Sequence, residues 1–195
     1  MAQEKTVTNM AIRAAYEAVC EIMGENARDM IFRDAGLTRV LGSPPDYTWD
    51  KEATNEEQAN IYKETLKLVG EVGGQGILRL IGYKMTETPI VRFGVADSIK
   101  DLPPGEKMAK SVELLQLAAH KGRVTARPGG LPAWDVFDCL LCVGITSRKS
   151  YCSHYAGCLQ FVTDWVYGKG VYVVRETKCR ARGDDTCLFE AEPKG

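Results

Sequence analysis

The stretch Val173-Val174-Arg175-Glu176-Thr177-Lys178-Cys179-Arg180-Ala181-Arg182-Gly183-Asp184-Asp185-Thr186-Cys187-Leu188-Phe189-Glu190-Ala191 decides the fold. Val171 to Val174 is β-branched and aromatic, the composition of a strand. Arg182-Gly183-Asp184-Asp185 is turn chemistry, and Thr186 to Ala191 returns as the last strand. With the turn centred on Gly183, residues equidistant from it face one another, and Cys179 and Cys187 are such a pair. Directly opposed side chains hold their Cβ atoms about 4.5–5.5 Å apart. Two thiolates at that spacing suit a tetrahedral zinc, whose bonds to sulfur are about 2.3 Å. The same register sets Glu176 against Glu190, an unfavourable like-charge pair. A bulge, or a positive charge such as a metal ion, would resolve it.

Upstream of the hairpin, Ser150 can cap a helix running to about Tyr167, with Tyr151, Tyr155, Cys158, Val162 and Trp165 along one stripe. Cys152 then falls in its first turn, where the helix dipole favours a thiolate. It is the third candidate ligand. Glu176 has the opposite strand parity from Cys179, so its joining the site requires a bulge or a strand end near Thr177-Lys178. Cys158 and His154 are the alternatives for the fourth position. The bland alternative for Cys179 and Cys187 is a cross-strand disulfide or a pair of buried thiols.

Further upstream, Arg123 to Arg127 and Val136 to Val143 read as strands. In the latter, Cys139 and Cys142 would point to opposite faces and act as core residues, with an iron–sulfur or second metal site as the sharper alternative. The first 120 residues read as helices. One stripe runs from Ile12 to Met23 and stops at Gly24, and a second helix runs from Glu25 to Ala35. Thr54 caps a third helix, which a glycine cluster at Gly70, Gly73, Gly74 and Gly76 interrupts. Apolar residues from Leu78 to Met85 resume the helical run, and a further helix spans Lys107 to His120. Helices first, then strand, strand, helix, strand, strand is an α+β order. It predicts N-terminal helices plus a four-stranded antiparallel sheet with helices packed on one face. Residues 1–195 are expected to form a single domain, with 1–120 as its helical part and 121–195 as its zinc-binding part.

Composition narrows the function. The chain has 195 residues, a formal net charge of −1, and no Lys/Arg run beyond a short cluster such as Arg148-Lys149. Nucleic acid is therefore not an expected partner. The apolar run from Cys139 to Ile145 is too short for a membrane span. The opening Met1-Ala2-Gln3-Glu4-Lys5 has no signal-peptide core, which suggests a cytoplasmic protein. Seven cysteines, an odd number without a secretory signal, point to free or metal-bound thiols rather than a disulfide scaffold.

The runs Cys152-Ser153-His154-Tyr155-Ala156-Gly157, Val173 to Asp184 and Cys187-Leu188-Phe189 resemble the 4-vinyl-reductase domain family. The family is named for a protein of bacteriochlorophyll synthesis, and its domains also serve as aromatic-sensing parts of transcription activators. The resemblance covers about residues 120 to 192. It implies a fold like that of small vesicle-tethering subunits, often homodimeric, with an enclosed apolar ligand pocket near a metal. In the aromatic-sensing relatives three cysteines and one glutamate hold a zinc ion. Carried over by position, these are Cys152, Glu176, Cys179 and Cys187. No ATPase or DNA-binding module is recognisable in these 195 residues, so a complete transcription activator is not expected.

Trp134, His154 and Tyr155 are candidates to line a pocket for a flat aromatic ligand, with Trp165 and Tyr167 nearby. No nucleophile–base pair or cofactor fingerprint stands out, and a four-ligand zinc is a closed, structural site. The expected function is a zinc-stabilised binding domain, a sensor or carrier for a hydrophobic aromatic or tetrapyrrole-like molecule. An enzyme or accessory factor of tetrapyrrole synthesis, and a thiol redox switch, are the alternatives.

Overall fold

In the computed structural model, which describes residues 4–92, 94–119, 122–126 and 131–195, seven helices surround a four-stranded sheet. The helical half begins with β1 (Val7–Thr8), which pairs with β2 (Lys51–Ala53) in a small antiparallel ladder not expected from the sequence. Between them lie α1 (Asn9–Met23) and α2 (Glu25–Asp34). Thr8 caps α1 through its hydroxyl, and Gly24 ends it in a conformation open to glycine, with φ of 84°.

Helix α3 (Asn55–Val69) starts at a complete capping box. The Glu57 amide donates to Thr54 Oγ1, and the Thr54 amide donates to the Glu57 carboxylate. Of the glycine cluster, only Gly70 breaks the helix. Gly73, Gly74 and Gly76 lie inside α4 (Glu71–Arg92), where Gly74 accommodates the Leu66 side chain of α3. α5 (Val95–Ile99) and α6 (Pro104–Ala119) complete the helical half. His120, expected at the end of α6, lies outside the described residues.

The sheet runs in the order β3 (Gly122–Ala126), β4 (Pro132–Val136), β6 (Cys187–Pro193), β5 (Tyr172–Lys178), and every pairing is antiparallel. Helix α7 (Ser153–Tyr167) packs on β5 and β6, while α6 packs on β3 and β4. The α+β expectation therefore holds. The most extensive helix contact joins α4 to α7, so a helix of the first half becomes part of the second half's core. One cluster of buried residues continues from Ile12 and Phe32 through Tyr62 and Ile81 to Trp134, Tyr155 and Phe189. No helix among the described residues is long and apolar enough to cross a membrane.

Two expectations are corrected. β4 ends at Val136, and the chain then turns into a 3-10 helix at Leu140–Cys142, so Val136 to Val143 is not one strand. An apolar run of that length is buried in either conformation, and its composition does not separate the two. In addition, α7 starts later than Ser150 suggests, and Cys152 occupies its cap position instead of its first turn.

Candidate functional site

The register of β5 with β6 resolves the like-charge problem. Glu176 opposes Phe189, and Glu190 opposes Arg175. The ladder shifts by one residue between Glu176 and Lys178, at the place where the sequence demands a bulge. Beyond Lys178 the chain leaves the ladder and forms a 3-10 turn at Arg180–Arg182, so Cys179 meets Cys187 from that turn and not as its ladder partner. The Asp184 carboxylate holds the turn by accepting from the Cys179 amide at 2.7 Å and from Arg182 at 3.0 Å. Shift and turn together bring Glu176 and Cys179 to the same side.

The result is a buried knot of sulfur. Cys152, Glu176, Cys179 and Cys187 have ligand atoms all within 4.8 Å of one another. Cys152 Sγ lies 3.7 Å from Cys187 Sγ. The Cys152 amide, at the amino end of α7, donates to Glu176 Oε2 at 2.9 Å, and the Arg180 amide donates to Cys187 Sγ at 3.3 Å. Such N–H donors stabilise a ligating carboxylate or thiolate. Glu176 Oε1 is buried and has no hydrogen-bond partner. Burial, with contact to Cys179 next, pushes the Glu176 carboxyl up to about 9. An unpartnered carboxylate oxygen beside three buried thiols is the chemistry of a site for a thiophilic divalent cation, so the donor set fits a metal ion.

Cys139 and Cys142 belong to the same knot, which corrects their placement on opposite faces of a strand. Cys139 Sγ is 3.3 Å from Cys152 Sγ, and Cys142 Sγ is 3.2 Å from Cys152 Sγ and 3.4 Å from Cys187 Sγ. Contact with Cys139 and then Cys152 drives Cys142 toward the thiolate. Contact with Cys139 and then Cys142 holds Cys152 protonated. These thiols titrate as a group, not one by one. Cys158 and His154, the alternative fourth ligands, stand apart from both donor groups found among the described residues.

His154 and Cys158 face a second feature, a mostly apolar cavity of about 310 Å³ between the helical half and the sheet. Met10, Ala14, Met85, Ile90 and Leu115 supply apolar wall, and Trp134 closes the sheet side. Polar atoms gather at one corner. His154 Nε2 is 3.1 Å from the Tyr62 hydroxyl and 3.6 Å from Cys158 Sγ, and the Gln58 amide nitrogen donates to Tyr62. Gln58 Oε1 is left buried with no partner. Burial keeps His154 neutral, its pKa lowered to about 3, and pushes the Cys158 thiol up to about 12. Trp134 and His154 thus line the cavity, as expected of them. Tyr155 is fully buried behind the lining and packs edge-on against Trp134 at 5.6 Å. Trp165 and Tyr167 are partly buried away from the lining. Gln58 and Tyr62 were not singled out from the sequence. Their helical stripe marks them as core, and nothing local tells a core glutamine from a cavity glutamine.

The sulfur knot, the hairpin and the strand before it coincide with a family match, since residues 133–193 fit the model of the 4-vinyl-reductase domain. That segment is a 4-vinyl-reductase domain. The match agrees with the resemblance seen in the sequence, and it covers all six donors of the knot. No curated protein matches the sequence. Among solved structures, the chain is similar to an H-NOX protein from S. oneidensis in its Fe(II)NO ligation state. The TM-score is 0.62 at 11% identity, over 97% of this chain and 100% of that one. It is also similar to the phenol-responsive sensory domain of the transcription activator PoxR with phenol, with a TM-score of 0.55 at 15% identity, over 72% and 74%. A third likeness is to trafficking protein particle complex subunit 3 from Naegleria fowleri, covalently bound to palmitic acid. Its TM-score is 0.53 at 18% identity, over 72% and 95%. At these identities the likeness is one of fold. The H-NOX alignment includes the amino-terminal helices that lie outside the 4-vinyl-reductase domain.

Proposed function

We propose that this chain is a sensory binding domain for a small hydrophobic molecule, held in shape by a zinc ion on Cys152, Glu176, Cys179 and Cys187. The observation that carries the reading is the unpartnered Gln58 Oε1 in an otherwise apolar cavity. A buried acceptor without a partner costs about 1–3 kcal/mol, and a ligand that donates to it recovers that cost. The favoured ligand is therefore apolar with one hydrogen-bond donor, as a phenol is. A volume of about 310 Å³ stands at the lower end of ligand pockets and suits one or two rings better than a tetrapyrrole macrocycle. The phenol-responsive sensory domain of PoxR, which shares the fold, supports the same class.

Zinc is favoured by the donor chemistry, three thiolates and a carboxylate in a closed buried site, and its role is structural. Helix α7 joins the two features, because Cys152 caps it and His154 and Cys158 face the cavity from it. The cavity also takes wall from both parts of the chain, so residues 1–120 and 121–195 act as one unit.

The test is thermal unfolding of the purified zinc-loaded chain with a panel of monocyclic phenols and matched arenes lacking the hydroxyl. Saturable rises in Tm with phenols, larger than with the arenes, are expected. No rise with any phenol, or equal rises with both series, would overturn the reading.

A further inference from the structure

Four donors complete one tetrahedral zinc, yet six converge here. Cys139 and Cys142 add two thiols to Cys152, Cys179, Cys187 and Glu176, and all five thiols are buried. The six fall into two tetrads: Cys139, Cys142, Cys152 and Cys187, and Cys152, Glu176, Cys179 and Cys187. Within each, the ligand atoms lie within 4.8 Å of one another. The tetrads share Cys152 and Cys187 and nothing else.

From this sharing, the geometry points to a dinuclear site in which two divalent metal ions of zinc type are bridged by the thiolates of Cys152 and Cys187. Cys139 and Cys142 close one tetrahedron, and Glu176 and Cys179 close the other. The donor count is complete. Two four-coordinate ions need eight metal–ligand bonds, and six donors of which two bridge supply eight.

The distances agree. With metal–sulfur bonds of about 2.3 Å, the edge of a tetrahedron between two sulfurs is about 3.8 Å. The shared edge, Cys152 Sγ to Cys187 Sγ, is 3.7 Å. The contacts of Cys139 and Cys142 with these two sulfurs, 3.2 to 3.4 Å, lie a few tenths of an ångström inside that edge. An iron–sulfur cluster interposes iron and inorganic sulfide between its cysteines and holds them farther apart. The closeness of these thiols therefore favours bare ions with thiolate bridges.

Chain geometry explains how the second tetrad arises. The 3-10 turn at Leu140–Cys142 directs two sulfurs inward, and the Ser147 amide donates to the Ala181 carbonyl at 2.8 Å. That bond ties the loop after the turn to the 3-10 turn that follows Cys179. The loop carrying Cys139 and Cys142 is thereby docked on the hairpin that carries the other ligands.

This inference rests on the metal reading of Cys152, Glu176, Cys179 and Cys187, and the experiment separates the two. The full chain, reduced and loaded with cadmium(II) alone, is examined by cadmium counting per chain and by 113Cd NMR. The expected result is two cadmium ions per chain and two resonances. One falls at the position of four-sulfur coordination, and the other lies upfield, where three sulfurs and an oxygen bind. The variant C139S/C142S should keep one ion and only the upfield resonance. One ion in the wild type with the three-sulfur-one-oxygen signal would overturn the dinuclear site and leave the mononuclear reading standing. A single four-sulfur signal, or two ions retained by C139S/C142S, would overturn the assignment of ligands. No bound cadmium would overturn both readings. The wild-type count decides the matter even if the variant fails to fold.

Discussion

Gly82 of α4 lies directly beneath the backbone carbonyl of His154 in α7, so close that a Cβ at Gly82 would stand 2.0 Å from that oxygen. The relationship is reciprocal, because a Cβ at Gly157 would stand 2.0 Å from the carbonyl oxygen of Arg79. Two helices with bare Cα atoms at their crossing approach more closely than side chains permit. This crossing presses His154 toward Tyr62 and sets the position of the helix that Cys152 caps. G82A and G157A should each destabilise the fold by about 2–3 kcal/mol, since the clash is with backbone and no rotamer relieves it. The double variant should cost less than the sum, because helices already forced apart accommodate the second methyl. Denaturant unfolding measures both, and a loss within about 0.5 kcal/mol for either single variant would show that the crossing is not tight.

Gln58 separates stability from binding. Replacing it with methionine removes the unpartnered oxygen and also one weak bond, the 3.4 Å donation to Tyr62. The first gain exceeds the second loss, so Q58M should stabilise the ligand-free protein by about 1 kcal/mol. The same change should weaken phenol binding about tenfold and leave binding of the hydroxyl-free arene unchanged, read by calorimetry. A destabilised Q58M with undiminished phenol affinity would count against the role given to the oxygen.

Removal of metal should be felt at once in the fold. Stripping the ion with a chelator leaves buried thiols and a buried carboxyl that must keep its proton, and the Tm should fall by well over about 10 °C, or about several kcal/mol. E176Q keeps the shape and loses the charge, so it should lower zinc affinity at least about tenfold in competition titrations. An unchanged Tm after chelation, with metal removal verified, would dismiss a structural ion.

Alkaline pH tests the depth of Cys158. Its thiol rises from an ordinary value of 9.0 to about 12 because it is buried. Below about pH 9 folded and unfolded chains both hold this proton, and no stability is lost. Between about pH 9 and 12 the unfolded chain releases the proton and the folded chain keeps it, so this residue's contribution declines with rising pH. Iodoacetamide at about pH 8 should accordingly modify Cys20, which is only partly buried, well before Cys158. Peptide mapping gives the order, and early labelling of Cys158 would mean an open cavity.

Thr54 tests the start of α3. T54A removes a hydroxyl that accepts from the Glu57 amide at 3.1 Å and should cost about 1 kcal/mol in denaturant unfolding. No loss would imply that packing of Ile61, Tyr62 and Leu66 alone sets that helix end.

Much of this architecture was written in local sequence. The cap at Thr54, the stop at Gly24 and the turn about Gly183 are chemistry within a few residues, where side chain and backbone meet regardless of the rest of the chain. Opposite strand parity forced a bulge near Thr177, and the register shifts there. Cys152, Glu176, Cys179 and Cys187 converge as the family resemblance implied. Tertiary structure alone decided that Cys139 and Cys142 join them, because an apolar run is buried equally well as strand or turn, and only the docking of its loop on Ala181 chooses. It alone turned His154 and Cys158 away from the sulfur and toward a cavity built with Gln58 and Met85. Those residues come from helices far apart in the chain, and their meeting depends on helices crossing where Gly82 and Gly157 let them, a condition that no local periodicity contains.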